Sequence, residues 1–272
     1  MTVAWGLEMA LPKVVVYGQC SVDGRITFGR DVLLMPWGAS AEAARRWGVL
    51  AGPEPAQDRI ARMHSPGAYL EGADSFVGSV SGPASLPAYS GEGNHLYEDF
   101  LPDKVVLSPE RQGWMAVPDS RGRVRWSTKQ GSGIHLLVLV THSTPPPYLD
   151  FLRAESIPYL VVGNDRVDLA EGLAAMRRIL GVETVVCTSP GKLGGALLRA
   201  GLVDEIDIDF FPAVIGGFNT PSLFAFPELR PEEWPARLHL LSAEVREGGH
   251  VLLRYRVLAA PGVPPDDDGS TG

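Results

Sequence analysis

Between residues 134 and 205 the chain alternates strand-length apolar runs with amphipathic stretches, and few architectures accept that order. Ile134 to Val140 is an unbroken apolar run, Tyr148 to Glu155 reads as a helix, and Tyr159 to Val162 as a strand. Asp168 is placed to cap a helix running to Leu180, with Leu169, Leu173, Met176 and Leu180 on one face. Val182 to Cys187 is the next strand, and Leu193 to Ala200 a helix closed by Gly201. Apolar strands alternating with helices predict parallel strands joined by right-handed crossovers.

The flanks fit around that centre. Lys13 to Gln19 carries Val14, Val15, Val16 and Tyr17, a buried-strand signature that closes at Ser21-Val22-Asp23-Gly24. Helices are expected over 39–47, behind Ser40, and over Pro55 to Met63, followed by a brief strand at Ala68-Tyr69-Leu70. Residues 78 to 95 are rich in Gly, Pro and Ser and read as a long loop or lid. Strands at Trp114 to Val117 and Val124 to Trp126 flank an Asp119-Ser120-Arg121-Gly122 turn. Val203 to Phe211 alternates Ile206, Ile208 and Phe210 with Glu205, Asp207 and Asp209, the pattern of a strand with one wet face. Leu238 to Glu247 and His250 to Leu258 flank Gly248-Gly249, a hairpin signal. The fold class is therefore α/β: a mixed sheet with a parallel centre, an antiparallel C-terminal edge hairpin and helices on both faces. A single domain is expected over 13–260, after an N-terminal extension (1–12) and before a disordered tail (261–272).

Composition narrows the functions. There are 24 basic against 32 acidic residues, a net charge of -8, which argues against nucleic acid as the main partner. An anionic cofactor needs only a few local cations and stays open. Two cysteines, Cys20 and Cys187, cannot build a disulfide framework, and no apolar run reaches the length of a membrane span. With Glu8 inside the mildly apolar N-terminus and no basic segment before it, the chain reads as soluble and cytoplasmic, without a secretory signal. The six histidines lack ligand spacing, so no metal is expected.

In open α/β sheets ligands bind beyond the carboxyl ends of the strands. Two segments have that geometry, Glu71-Gly72-Ala73-Asp74-Ser75 and Thr188-Ser189-Pro190-Gly191-Lys192, and Ser120-Arg121-Gly122-Arg123 is a third candidate by its chemistry. Small residues let a backbone approach a phosphate, while hydroxyls, guanidiniums and Lys192 can bind it. The alternative for Gly191 is a tight strand-to-helix turn, and for Arg121 and Arg123 a solvated hairpin tip. Asp23, after the first strand, suits either a turn cap or a substrate contact.

In order along the chain, five segments resemble the reductase domain family of the bacterial riboflavin-biosynthesis deaminase-reductase, which has a dihydrofolate reductase-like fold. They are Ser21 to Ile26, Asp119 to Val124, the run Gly194 to Glu205, Pro212 to Gly217, and the Gly248-Gly249 hairpin. The deaminase zinc signature is absent. The resemblance implies an NADPH-dependent, usually dimeric oxidoreductase that reduces a phosphoribosylaminopyrimidine. It implies that Gly72, Ala73, Asp74 and Ser75, with Ser189, Pro190, Gly191, Lys192 and Leu193, flank the cofactor pyrophosphate and nicotinamide. Ser120, Arg121 and Arg123 would lie near the adenosine 2′-phosphate, and Asp23, then Glu71, would be the catalytic or orienting carboxylate. A pterin-type reductase and an NADP-binding dimer without catalysis are the alternatives.

The chain departs from the pattern of the family it resembles at three places. Tyr17 stands where its members often carry Lys, Thr188-Ser189-Pro190 where they carry Glu-Gly-Gly, and Ser81-Gly82-Pro83 where they carry Asp-Asp-Pro. A rebuilt substrate side is the expectation.

Overall fold

The computed structural model describes residues 10–29, 55–77, 85–91 and 93–264. The helix expected over 39–47, the Ser81-Gly82-Pro83 element and most of the tail lie outside them. In chain order the elements are β1 (Lys13–Ser21), α1 (Ala56–His64), β2 (Ala68–Leu70), α2 (Asp103–Val106) and β3 (Gly113–Pro118). Then come β4 (Gln130–Gly131), β5 (Ile134–Val140), α3 (Pro146–Ala154), β6 (Tyr159–Val161), α4 (Leu169–Leu180) and β7 (Thr184–Cys187). The last are α5 (Gly195–Arg199), β8 (Glu205–Phe211), β9 (Arg237–Val245) and β10 (Val251–Ala259). This is the mixed α/β class the alternation implies.

Two compact units share these elements, the division falling within β7. The first holds residues 66–185. Its strands β2, β3, β5 and β6 pair in parallel, and the two-residue β4 runs antiparallel to the start of β5. Leu136, Val138 and Val140 on one face of β5 pack with Val117, Trp126, Tyr148, Leu149 and Leu152. Trp126 Nε1 donates to the Tyr148 hydroxyl at 2.9 Å, so both polar tips are satisfied within that core. The expected strand over Val124 to Trp126 does not form. Asp119 accepts the amides of Arg123 and Val124 at 2.8 and 2.9 Å, and an amide held this way is lost to a sheet ladder.

The second unit holds residues 14–65 and 186–272. β1 pairs in parallel with β8, β10 runs antiparallel to β8, and β9 completes the antiparallel edge. The hairpin turn places Gly248 and Gly249 at φ 74° and 81°, which side chains with a Cβ rarely adopt.

Two expectations change here. The helix expected to start at Leu193 begins instead with a wide turn over Pro190–Gly194, and regular α-helix follows only at Gly195. A Cβ on Gly195 would sit 2.6 Å from the Ala225 carbonyl oxygen, so this glycine is a packing requirement. Gly195→Ala gains up to about 1 kcal/mol of helix propensity but forces backbone apart at about 1–3 kcal/mol. A lowered denaturation midpoint is expected; an unchanged or raised one would show that Ala225 moves freely.

The second change concerns β8. Its acidic face is not wet: Asp207 and Asp209 are 0% and 1% exposed. Asp209 receives Arg59 of α1 at 2.9 Å and Arg246 at 3.4 Å, with Gln19 Nε2 at 3.2 Å and His250 Nδ1 at 3.1 Å. Asp207 lies 2.7 Å from His64 Nε2 and 3.3 Å from Arg254, which also reaches Glu205 at 3.2 Å. Three guanidiniums thus face three carboxylates beneath α1 and beside the hairpin.

Candidate functional site

In the first unit the parallel pairing of β2 with β3 sets two of the three candidate loops side by side, because both follow carboxyl ends of adjacent strands. After β2, the Glu71 amide still donates to the Ala116 carbonyl at 3.0 Å, and Ala73–Ser75 then forms one 3₁₀ turn. Glu71 is half-buried, Ala73 buried and Asp74 exposed. After β3, the Asp119 amide donates to Leu139, and Gly122 turns at φ 60°. Arg123 crosses between the loops and donates to Asp74 at 2.7 Å. Gly72, Ala73, Asp74, Ser75, Ser120, Arg121 and Arg123 therefore share one rim, with Arg121 exposed at the tip of its turn.

Two residues outside the candidate set, Asp119 and Thr144, organise this rim. Asp119 is 2% exposed and binds the turn through its carboxylate. Thr144, fully buried, donates to the Ser120 carbonyl at 2.9 Å and accepts the Thr141 amide, tying the end of β5 to the turn after β3. An Asp opening a Ser-Arg-Gly stretch is a recognisable turn-cap signal. Thr144 carried none, since its partner lies 24 residues away.

The third loop, Ser189 to Leu193, belongs to the second unit and is held by its own contacts. The Gly191 carbonyl accepts from the Ala225 amide at 3.0 Å, and a Cβ on Gly191 would meet Ile26 at 3.1 Å. Pro190 is buried, Lys192 exposed and Leu193 half-buried.

Asp23 sits in this unit as a clamp. Its carboxylate accepts from Ser21 Oγ at 2.6 Å and from the amides of Ile215 and Gly216 at 3.0 and 2.7 Å. These bonds, Ser21 first, lower its pKa from the ordinary 3.8 to about 2. At neutral pH it is an anion with no proton to give. A depressed folded value makes its stabilisation of the 213–217 loop present above pH 3.8 and lost as pH falls through about 2. Exchange protection of the Ile215 and Gly216 amides is expected to persist to about pH 3, to fall off below it, and to vanish in Asp23→Ala at pH 7. Equal protection in wild type and variant would remove the clamp.

Tyr17 is buried and bonded to Arg59, with its hydroxyl 3.5 Å from Asp209. Burial, then the Asp209 charge, raises its pKa far above the usual range, so it stays neutral.

The chain matches the family model of the RibD C-terminal domain over residues 12–252. Among solved structures it resembles Acinetobacter baumannii RibD at 19% identity and TM-score 0.57, over 91% of this chain and 58% of that one. The chain thus spans under two thirds of that protein. It also resembles a pyrimidine reductase-like protein from Corynebacterium diphtheriae (16% identity, TM-score 0.61, 91% and 92% covered). A third is the riboflavin biosynthesis reductase Rib7 of Saccharomyces cerevisiae (13%, 0.53, 91% and 90%). At these identities the structures show the shared fold. No curated protein sequence matches.

Proposed function

The chain belongs to the RibD C-terminal domain family, and from that membership we propose that it is an NADPH-dependent oxidoreductase delivering hydride to a small heterocyclic or ribosylamino substrate. The riboflavin-pathway reduction of 5-amino-6-(5-phosphoribosylamino)uracil is the named reaction that fits best. The observation that carries this reading is the rim on which the 72–75 and 120–123 loops meet through Asp74 and Arg123.

That rim fits a phosphorylated dinucleotide. Arg121 is an exposed guanidinium on a turn whose shape Asp119 and Thr144 hold, and the buried Nε of Arg123, 4.0 Å from Asp119, has no hydrogen-bond acceptor among the described residues. Fixed donors of this kind suit a phosphate dianion. NADPH, when bound, supplies the hydride. Arg121, Arg123 and Ser120 would take the 2′-phosphate, and Gly72 to Ser75 the pyrophosphate. Asp23 acts as an orienting anion and Glu71 as the second carboxylate candidate.

Fluorescence titration with NADPH and NADH, followed by turnover of the ribosylaminopyrimidine and of dihydrofolate, tests the reading. NADPH preference with turnover of the first substrate supports it. Turnover of dihydrofolate alone selects a pterin reductase, and tight binding without turnover selects a non-catalytic NADP-binding protein. The last alternative draws on Asp23, whose oxygens are already occupied by the 215–216 amides. Failure to bind either nucleotide sinks all three.

The reading includes a homodimer in the cytoplasm. β9 is an edge strand on which Leu238, Leu240 and Val245 are 40%, 49% and 83% exposed, a surface a second copy would cover. Light scattering is expected to give twice the chain mass, falling to one chain in Leu240→Lys; a wild-type monomer would exclude this pairing.

A further inference from the structure

In the first unit, the turn after β3 is tied down by partners before, after and behind it. The Asp119 carbonyl accepts the Gly122 amide at 3.1 Å, which closes the turn, and the Gly122 carbonyl accepts Arg125 Nη1 at 2.7 Å. Gly122 lies against α3, where a Cβ would come within 2.6 Å of the Tyr148 ring. The Ser120 carbonyl is taken from farther along the chain, by the Thr144 hydroxyl at 2.9 Å.

That hydroxyl has little freedom. Thr144 is fully buried just past the carboxyl end of β5, and its Oγ1 also accepts the Thr141 amide at 2.9 Å. Its own amide donates to the Thr141 carbonyl at 3.1 Å, and its carbonyl accepts the Tyr97 hydroxyl at 3.2 Å. A threonine hydroxyl has one proton. Thr144 uses it on Ser120, so the Thr141 hydroxyl, 3.3 Å away, is the donor in their contact.

Three carbonyls of the turn, those of Asp119, Ser120 and Gly122, are thus held by protein donors. Among the groups left over are donors: the amides of Ser120 and Arg121 have no acceptor among the described residues, and the Arg121 side chain is exposed. A turn with its carbonyls occupied and donors to spare favours an anion.

We propose that Thr144 is a positioning residue for phosphate recognition on this rim. By holding the Ser120 carbonyl against the end of β5, it fixes the turn that carries Ser120, Arg121 and Arg123. It thereby sets the preference for a dinucleotide with a 2′-phosphate over one without. The inference rests on the assignment of the 2′-phosphate to this turn. Charged hydrogen bonds to a phosphate are strong only when the donors are aligned, and a turn that must be ordered on binding loses part of that gain. Thr144→Val keeps the branched shape but leaves the Ser120 carbonyl without its donor. A carbonyl free to rotate toward the ligand repels a phosphate, whereas a ribose hydroxyl can donate to it.

Parallel fluorescence titrations with NADPH and NADH test this in wild type, Thr144→Val and Thr144→Ser. Thr144→Val is expected to weaken NADPH binding about tenfold and NADH binding less than about twofold. Thr144→Ser, which keeps the hydroxyl, is expected to restore the wild-type ratio. A merely structural Thr144 would lower the denaturation midpoint and leave the ratio of the two affinities where it was. Should Thr144→Val not fold, Thr144→Cys retains a weak donor in a buried site and is expected to show the same selective loss at about threefold. An unchanged ratio in whichever variant folds overturns the proposal. Arg121→Glu in the same titrations separates it from the cofactor reading. A selective loss there without one at Thr144 removes Thr144 alone, and a wild type with no preference for NADPH removes the 2′-phosphate assignment and this inference together.

Discussion

Asp209→Ala is expected to destabilise the protein by about 3–5 kcal/mol, because it leaves Arg59 and Arg246 without their buried counter-charge. The carboxylate is 1% exposed and joins β1, α1 and the turn end of the hairpin through Gln19, Arg59, Arg246 and His250. A surface ion pair would be worth no more than about 1 kcal/mol. Here the larger figure applies, since water cannot replace the lost partner. Urea denaturation followed by tryptophan fluorescence reads the loss, and Asp209→Asn should recover part of it through retained hydrogen bonds. A cost under about 1 kcal/mol would mean that solvent reaches the guanidiniums.

Arg121→Glu is expected to weaken NADPH binding by about 10- to 100-fold, the worth of a charged hydrogen bond replaced by repulsion, and to leave NADH binding unchanged. The exposed position keeps the fold out of the result. Parallel titrations with the two nucleotides give the ratio. An equal loss for both would place Arg121 away from the 2′-phosphate, and no loss for either would remove it from the cofactor site.

Much of the fold was legible because it depends on local period. Ala68–Leu70 and Ile134–Val140 form strands at the boundaries their apolar runs imply, and Asp168 caps α4 by accepting the Glu171 amide at 3.0 Å. Gly248 and Gly249 turn the hairpin, but in a three-residue loop with Glu247, closed by the Arg246 amide on the His250 carbonyl, where the dipeptide alone implied two residues. Errors arose where a side chain redirects backbone. Asp119 takes the amides that would have made Val124 to Trp126 a strand, and the contact with Ala225 shapes the wide turn before α5.

The candidate site was legible in part. Residue types and their order along the chain selected the 71–75 and 120–123 loops; the parallel register of β2 and β3 brings them to one rim. Asp23 was recognisable as a carboxylate at a turn, but its clamp on Ile215 and Gly216 closes across some 190 residues.

By itself, the sequence determined the alternation, the hairpin, the caps and the likeness to the family. Those depend on neighbours within a few positions, where backbone period and capping chemistry act. Only the tertiary structure decided that Asp207 and Asp209 are buried beside Arg59, His64 and Arg254. A period of two states that one face differs from the other. Whether water or a distant guanidinium meets that face depends on long-range packing, which no local pattern encodes.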